Sequence, residues 1–155
     1  SEGIFKGETI NTPSMLCVED YLDALKWAKG LGGLDALIAR ANANLSVIEG
    51  FVGKSPWIGF LAARPQIRSN TSVCLTFTDP EIASLDDDGQ SAFAKGVVAA
   101  LEKEGVAFDI GHYRDAPAGL RIWTGATVEK SDLEALMPWL EWSYSSQKAA
   151  LKKAA

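Results

Sequence analysis

The stretch SVCLTFT, residues 72–78, decides the fold class of this chain. Its apolar side chains alternate with small polar ones, and this period of two is typical of a half-buried β-strand. The stretches VAFDI, residues 106–110, and LRIWTGA, residues 120–126, predict two further strands, joined by the loop GHYRDAPAG. Helical patterns flank these strands. The sequence therefore predicts an α/β fold, in which helices pack on one face of a small sheet.

The spacing of apolar residues predicts four helices. Two of them, over residues 14–29 and 35–52, precede the first predicted strand. A third follows the acidic cluster at 86–88, where carboxylates favour the positive end of the helix dipole. The last one is predicted to open with a capping box formed by Ser131 and Glu134.

Three segments show no such regular pattern. The lead at residues 3–10 is predicted to be extended, and residues 53–70 are predicted to form an irregular crossing that still packs. The tail at residues 145–155 has high helix propensity but little apolar surface, so we expect it to fray.

Composition bounds the function classes. The 155 residues, 47% hydrophobic and 23% charged, match one globular domain with a core. A net charge of -5 without a basic stripe makes nucleic acid an unfavoured partner, and no apolar run approaches the roughly 20 residues of a membrane span.

Cys17 and Cys74 lack metal or redox spacing, which indicates reduced thiols in a cytoplasmic protein. Because the sequence starts with Ser1 instead of a methionine and shows no signal-peptide pattern, we expect these residues to be part of a longer chain.

The loop between the last two predicted strands holds the candidate anion-binding residues. Nucleophile-elbow, zinc-protease, P-loop and dinucleotide motifs are absent, and the cluster at 86–88 favours a helix start over a metal site. His112, Arg114 and Arg121 place three potential donors within ten residues. The alternative is a solvated loop with one structural salt bridge, such as Asp115 with an arginine.

Arg121 is the most informative of the three residues. In a strand it alternates with Leu120 and Ile122, so it points away from their apolar face. An arginine in that position either pairs with an acid or receives a ligand's carboxylate through two parallel hydrogen bonds.

The segment NTPS, residues 11–14, has two interpretations. In one of them Thr12 caps the following helix and Pro13 occupies its first position. In the other, Asn11 and Thr12 donate hydrogen bonds to a phosphate group near the start of the helix.

Three stretches carry a resemblance to a known family. In order, they are INTPSMLCVEDYLDALKWAKGLGGLDALIAR, RSNTSVCLTFTDP and EGVAFDIGHYRDAPAGLRIWTGATVEKSDLEALMPWL. Together they resemble the C-terminal part of phosphoserine aminotransferases, particularly alphaproteobacterial-type sequences, over nearly the whole chain. The resemblance implies the small, mainly antiparallel sheet of a fold-type I aminotransferase, dependent on pyridoxal 5'-phosphate. Residues 1–13 would end the large cofactor-binding domain, and residues 14–155 would form the small domain.

The resemblance also implies roles for individual residues. Family members are homodimers, and the pair matching Asn11 and Thr12 hydrogen-bonds the cofactor phosphate held mainly by the other subunit. Arg121 matches the residue that holds the substrate's α-carboxylate. His112 and Arg114 correspond to a pair that receives the phosphate of phosphoserine or the distal carboxylate of glutamate, although here an extra residue separates them.

The implied reaction belongs to serine biosynthesis and converts phosphoserine and 2-oxoglutarate into 3-phosphohydroxypyruvate and glutamate. The family's Schiff-base lysine lies upstream, and no lysine of this chain has the matching context, so we expect no catalytic residue here and no activity of this chain alone. Two alternatives remain open. One is the small domain of another fold-type I aminotransferase, and the other is a stand-alone, non-catalytic α/β module that binds an anion or a protein.

Overall fold

The computed structural model describes residues 2–9 and 11–154. Ser1, Ile10 and Ala155 lie outside the described residues, and two of these positions belong to the predicted lead and the predicted tail. The chain divides into two compact units, of which one ends at Ile38 and the other begins at Ala39. This division concerns packing within the chain, and the domain boundary expected after residue 13 stays a prediction.

All four predicted helices are confirmed in the described residues. One further short helix and three strands accompany them. The helices are α1 (Met15–Gly30), α2 (Gly33–Val52), α3 (Pro80–Ala83), α4 (Asp87–Lys103) and α5 (Lys130–Ala154), the strands are β1 (Ile58–Phe60), β2 (Ser72–Phe77) and β3 (Gly119–Trp123), and 3-10 turns cover Glu2–Lys6 and Pro65–Ile67. None of the helices in residues 2–9 and 11–154 is long and apolar enough to cross a membrane.

The three strands form one antiparallel sheet in the order β1-β2-β3, which confirms the predicted sheet type. Leu75 of β2 pairs with Leu120 of β3, and its neighbour Cys74 pairs with Arg121. Because successive side chains point to opposite faces, the leucines lie on one face and Arg121 lies on the other.

The core fills the leucine face of the sheet. Helices α4 and α5 pack against each other, and α4 contacts β3. An aromatic group joins the layers, since Trp57 stacks on Tyr144 of α5 with 4.0 Å between ring centroids. Phe77 of β2 meets Phe93 of α4 edge to face at 5.1 Å. Helices on one face of a small sheet are the predicted architecture.

Helix α2 is fixed to the loop after β3 by one buried amide. The Nδ2 group of Asn44 donates to the backbone carbonyls of Thr124, Gly125 and Val128, at 3.1, 3.2 and 2.9 Å. The two N–H bonds of one side chain are thus shared among three carbonyl oxygens, of which that of Gly125 also accepts from the backbone N–H of Val128. This contact holds the segment that follows β3.

A buried carboxylate links α3 to α5. Asp79 is 6% exposed and accepts hydrogen bonds from Tyr144, Lys148 and the backbone N–H of Glu81. Burial raises the pKa of the Asp79 carboxyl group, but these hydrogen bonds outweigh it and hold the pKa at about 2. Burial and the bond to Asp79 raise the pKa of Tyr144 to about 12. The Asp79 bond also raises the pKa of Lys148.

The strand predicted at residues 106–110 is wrong. Only Gly111 makes an isolated bridge, with Leu120, and the preceding residues form bends and turns. Asp109 has a φ of 53°, in the left-handed region, and this conformation breaks an extended chain.

Four local predictions also need correction. The crossing at 53–70 contains strand β1, a run of three residues too short to show periodicity. The lead forms a 3-10 turn over Glu2–Lys6 and is not extended there. Helix α5 begins at Lys130, so Ser131 lies in its first turn and does not cap it. The tail is helical through Ala154, because the Lys148 bond to Asp79 and the partly buried Leu151 anchor it.

Candidate anion-binding site

Strand β3 places Arg121 on the open face of the sheet. Leu120 and Ile122 are buried in the core, whereas Arg121 is half-buried on the other face, as the alternation predicts. Gly119 permits this pairing, because a Cβ atom at that position would overlap the backbone carbonyl of Leu75. The glycine is needed for the close approach of β2 and β3 that carries the arginine.

Two residues that precede β3 hold the guanidinium group of Arg121. Its Nη2 atom lies 3.3 Å from a carboxylate oxygen of Asp109, and its central carbon lies 4.4 Å from the ring centroid of Tyr113. The Asp109 side chain is 93% exposed, so this ion pair contributes little free energy. The Nε atom of Arg121 is buried and has no hydrogen-bond partner within residues 2–9 and 11–154. A buried donor without a partner is costly, and an incoming acceptor would satisfy it.

Sequence reasoning missed both partners of Arg121. It placed Asp115 in the structural salt bridge, but the structure places Asp109 there. One signal was present, since Asp tolerates the left-handed backbone better than most residues and therefore fits a turn at that position. The sequence analysis gave Tyr113 no role of its own and treated it only as the residue between His112 and Arg114.

The structure brings His112 and Arg114 together at the first turn of α4. They line one concavity of about 510 Å³, to which Asp87 and Asp88 also contribute. Arg121 lines a different concavity of about 350 Å³, to which Asp109 and Asp132 also contribute. The loop thus contributes basic side chains to two concavities, and the aspartates that line each concavity weaken its attraction for anions.

Asn11 and Thr12 lie before α1, and both are exposed. Helix α1 is capped by Ser14, whose hydroxyl accepts from the backbone N–H of Cys17 at 3.5 Å. The prediction that Thr12 caps the helix is therefore wrong, and Pro13 precedes the cap instead of occupying the first helical position. Because neither Asn11 nor Thr12 is used for capping, their donor groups fit the alternative role of holding a phosphate group. That role stays a prediction.

Comparison with solved structures defines the class of fold. Phosphoserine aminotransferase from Bacillus circulans subsp. alkalophilus matches 88% of this chain with a TM-score of 0.73 and 22% identity, over 34% of its own length. The pyridoxal-phosphate-bound phosphoserine aminotransferase of Trichomonas vaginalis matches 89% of this chain with a TM-score of 0.71 and 16% identity, over 36% of its length. At these identities the likeness shows the fold, which is that of one part of a fold-type I aminotransferase.

Curated sequences give a closer relation. Phosphoserine aminotransferase of Methanosarcina barkeri is 56% identical over 142 residues, 92% of this chain and 36% of that protein. The Methanosarcina mazei phosphoserine aminotransferase is 55% identical over 141 residues, 91% of this chain and 35% of its own length. No protein-family model matches. The predicted resemblance to the C-terminal part of phosphoserine aminotransferases is confirmed, and the chain spans about a third of the length of these relatives.

Proposed function

We propose that this chain is the small domain of a phosphoserine aminotransferase and that Arg121 holds the α-carboxylate of the substrate. The observation that carries this proposal is the guanidinium group on the open face of β3, with a buried Nε atom that lacks a partner in the described residues. The 56% identity to the Methanosarcina barkeri protein supports the parent reaction between phosphoserine and 2-oxoglutarate.

The contacts of Arg121 suit a carboxylate. Tyr113 covers one face of the planar guanidinium group, which leaves its N–H edge available for a ligand in the same plane. A carboxylate can accept two parallel hydrogen bonds from that edge. The Asp109 carboxylate already contacts one nitrogen, and because it is solvent-exposed a bound substrate can displace it at low cost. Tyr113 therefore positions the arginine, while Asp109 occupies it in the absence of substrate.

Asn11 and Thr12 are proposed to bind the phosphate group of pyridoxal 5'-phosphate across a homodimer. The cofactor supplies an electron sink for the bond changes at the substrate's α carbon. This chain contributes hydrogen bonds that hold the cofactor and an arginine that orients the substrate. The lysine needed for transamination is proposed to lie in the large domain, so residues 1–155 alone should be inactive.

His112 and Arg114 are proposed to bind the distal anion, the phosphate of phosphoserine or the side-chain carboxylate of glutamate. Their shared concavity supports this role, since both line it together with the first turn of α4. Asp87 and Asp88 line the same concavity and oppose a doubly charged phosphate. The balance of these charges is proposed to set the preference between the two amino donors.

A chimeric enzyme tests the proposal. The segment of the Methanosarcina barkeri protein that matches this chain is replaced by residues 1–155, and transamination between phosphoserine and 2-oxoglutarate is measured. Arg121→Ala should lower kcat/KM by roughly 10²-fold, about 3 kcal/mol, because a charged two-point contact is lost. Arg64→Ala removes an exposed arginine from the turn after β1 and is the matched control. An unchanged kcat/KM for Arg121→Ala would refute the assignment.

The same chimera separates the two alternatives. If it uses alanine or serine as the donor but not phosphoserine, the chain belongs to another fold-type I aminotransferase. In that case Arg114→Ala should change donor preference little. If the chimera folds and binds cofactor, and Arg121→Ala leaves its transamination rate unchanged, the chain acts as a non-catalytic binding module. For the parent we also propose a cytoplasmic location, consistent with the free thiols of Cys17 and Cys74.

A further inference from the structure

Trp123 is an exposed aromatic residue on the same face of β3 as Arg121. One residue separates the two, so their side chains leave the strand on the same side, about 7 Å apart. Their partners on β2 are Ser72 and Cys74, whose small side chains leave the two long ones standing above the sheet. Trp123 is 54% exposed, a large fraction for a side chain type that is mostly buried in proteins. The proposed function gives this tryptophan no role.

The ring of Trp123 is held in place by the segment that follows β3. Its Nε1 atom donates to the Oγ1 atom of Thr127 at 3.3 Å. A Cβ atom at Gly125 would lie 2.5 Å from the ring, so the ring packs directly against the backbone of that glycine. Asn44 in turn binds the carbonyl of Gly125 and fixes the segment to α2. Because the ring is already fixed, a ligand that covers it loses little affinity to the ordering of this side chain.

Trp123 and Arg121 line the same concavity, of about 350 Å³. Asp109 and Asp132 line it as well, and their negative charges oppose a bound anion, so binding depends on the direct contact between Arg121 and a carboxylate. An apolar ring beside such a contact displaces water from it. Coulomb attraction rises as the effective dielectric constant falls, and salt screens an exposed ion pair more than a partly buried one.

We propose that Trp123 is a positioning residue for the substrate's α-carboxylate, and that its fixed ring shields the ion pair between Arg121 and that carboxylate from water and salt. This inference rests on the proposed function, because it requires a carboxylate on Arg121. Trp123 acts through the arginine and does not touch the reacting atoms. Since all substrates of the proposed reaction carry this carboxylate, the tryptophan should affect phosphoserine and glutamate equally, whereas His112 and Arg114 would distinguish between them.

The chimera with the Methanosarcina barkeri protein tests the proposal, with KM and kcat measured for phosphoserine and for glutamate at low salt and at about 0.3 M NaCl. Trp123→Ala should raise KM about tenfold for both donors and change kcat less than about threefold, because the contact that weakens is made in the ground state as well. Its KM should also rise more steeply with salt than that of the wild type, because the ion pair is then exposed.

Two further variants separate the ring from its support. Trp123→Phe keeps an aromatic wall and should hold KM within about threefold of the wild type. Thr127→Val removes only the hydrogen bond that holds the ring, and it should raise KM by about two- to threefold. Trp142→Ala removes a tryptophan of similar exposure from α5 and is the matched control, with KM and salt dependence unchanged.

A binding measurement without turnover completes the test. Glutarate lacks the amino and oxo groups of the substrates and cannot react, so isothermal titration calorimetry reports the carboxylate contact alone. Its Kd should rise about tenfold in the Trp123→Ala chimera, by the same factor as KM.

The outcomes distinguish this inference from the proposed function. If Arg121→Ala lowers kcat/KM but Trp123→Ala changes neither KM nor the Kd of glutarate, the role of Trp123 is refuted and the function of the arginine stands. If neither change has an effect, the proposed function fails and this inference fails with it. A raised KM with the salt dependence of the wild type would overturn the shielding role, because the ring would then act through its shape.

Discussion

Asp79→Asn is the most informative single change for the fold. The amide keeps the size of the side chain and can still accept from the backbone N–H of Glu81, but it removes the buried negative charge. The Nδ2 group, a donor, then stands in place of the oxygen that accepts from both side chains, so Lys148 loses its main partner and the hydroxyl of Tyr144 loses its acceptor. We expect the variant to fold with the link between α3 and α5 weakened.

The magnitude follows from the pKa of Asp79. Lowering this pKa from 3.8 to about 2 corresponds to about 2 kcal/mol of folding free energy. Since the folded-state pKa is the lower one, this stability is fully present above about pH 4. It is lost as the pH falls to about 2. The variant should therefore be about 2 kcal/mol less stable than the wild type at pH 7 and nearly equal to it at pH 2.

Urea unfolding at a series of pH values between 7 and 2, followed by circular dichroism, measures the difference. The free energies of the two proteins should converge between pH 4 and pH 2. Asp20→Asn, which neutralises an exposed carboxylate on α1, is the control and should show a difference below about 0.5 kcal/mol. A gap between Asp79→Asn and the wild type that stays constant down to pH 2 would show that the charge of Asp79 is not what stabilises the link.

Three further changes probe other contacts by the same measurement. Asn44→Ala should cost about 2–3 kcal/mol, because three backbone carbonyls lose their shared donor, and a cost below about 0.5 kcal/mol would contradict this role. Gly119→Ala should cost about 2 kcal/mol or more, because the added methyl group would overlap the carbonyl of Leu75. The control is Gly50→Ala in α2, whose methyl group meets open space and which should be neutral or stabilising. Equal effects of the two changes on the unfolding free energy would refute the argument. Tyr144→Phe should remove a stability contribution that the wild type keeps below about pH 10 and loses as the pH rises through about 12, so an unchanged alkaline profile would argue against the raised pKa.

The helices could be predicted because their signal extends over many residues. Helices α1, α2, α4 and α5 each repeat an apolar spacing over several turns, and the sequence located all four. Strand β2 was predictable for a similar reason, since its six residues alternate regularly between buried and partly exposed side chains. Strand β1 has only three residues, and its place in the sheet depends on pairing with β2, which a local pattern does not contain.

The ends of elements were less predictable, because tertiary contacts decide them. The tail was expected to fray from its own apolar content, but Lys148 gains a buried partner, Asp79, that lies far away in the sequence. Capping also has competing candidates, since Thr12 and Ser14 are both good cap residues and only the backbone geometry selects Ser14. The segment at 106–110 has a strand-like composition, and the left-handed Asp109 overrides it.

The position of Arg121 could be predicted from the sequence, but the residues that contact it could not. The position of Arg121 on the open face follows from alternation alone, because Leu120 and Ile122 must both enter the core. Its two partners come from a loop whose path depends on the turn at Asp109, so periodicity gives no information about them. The consecutive residues Gly119, Leu120 and Arg121 thus have three separate requirements: close backbone approach, burial in the core and a half-buried cation on the open face. A change at Gly119 should therefore damage the site through the fold, by moving the strand that carries the arginine, whereas Arg121→Ala should leave the unfolding free energy almost unchanged and remove only the anion contact.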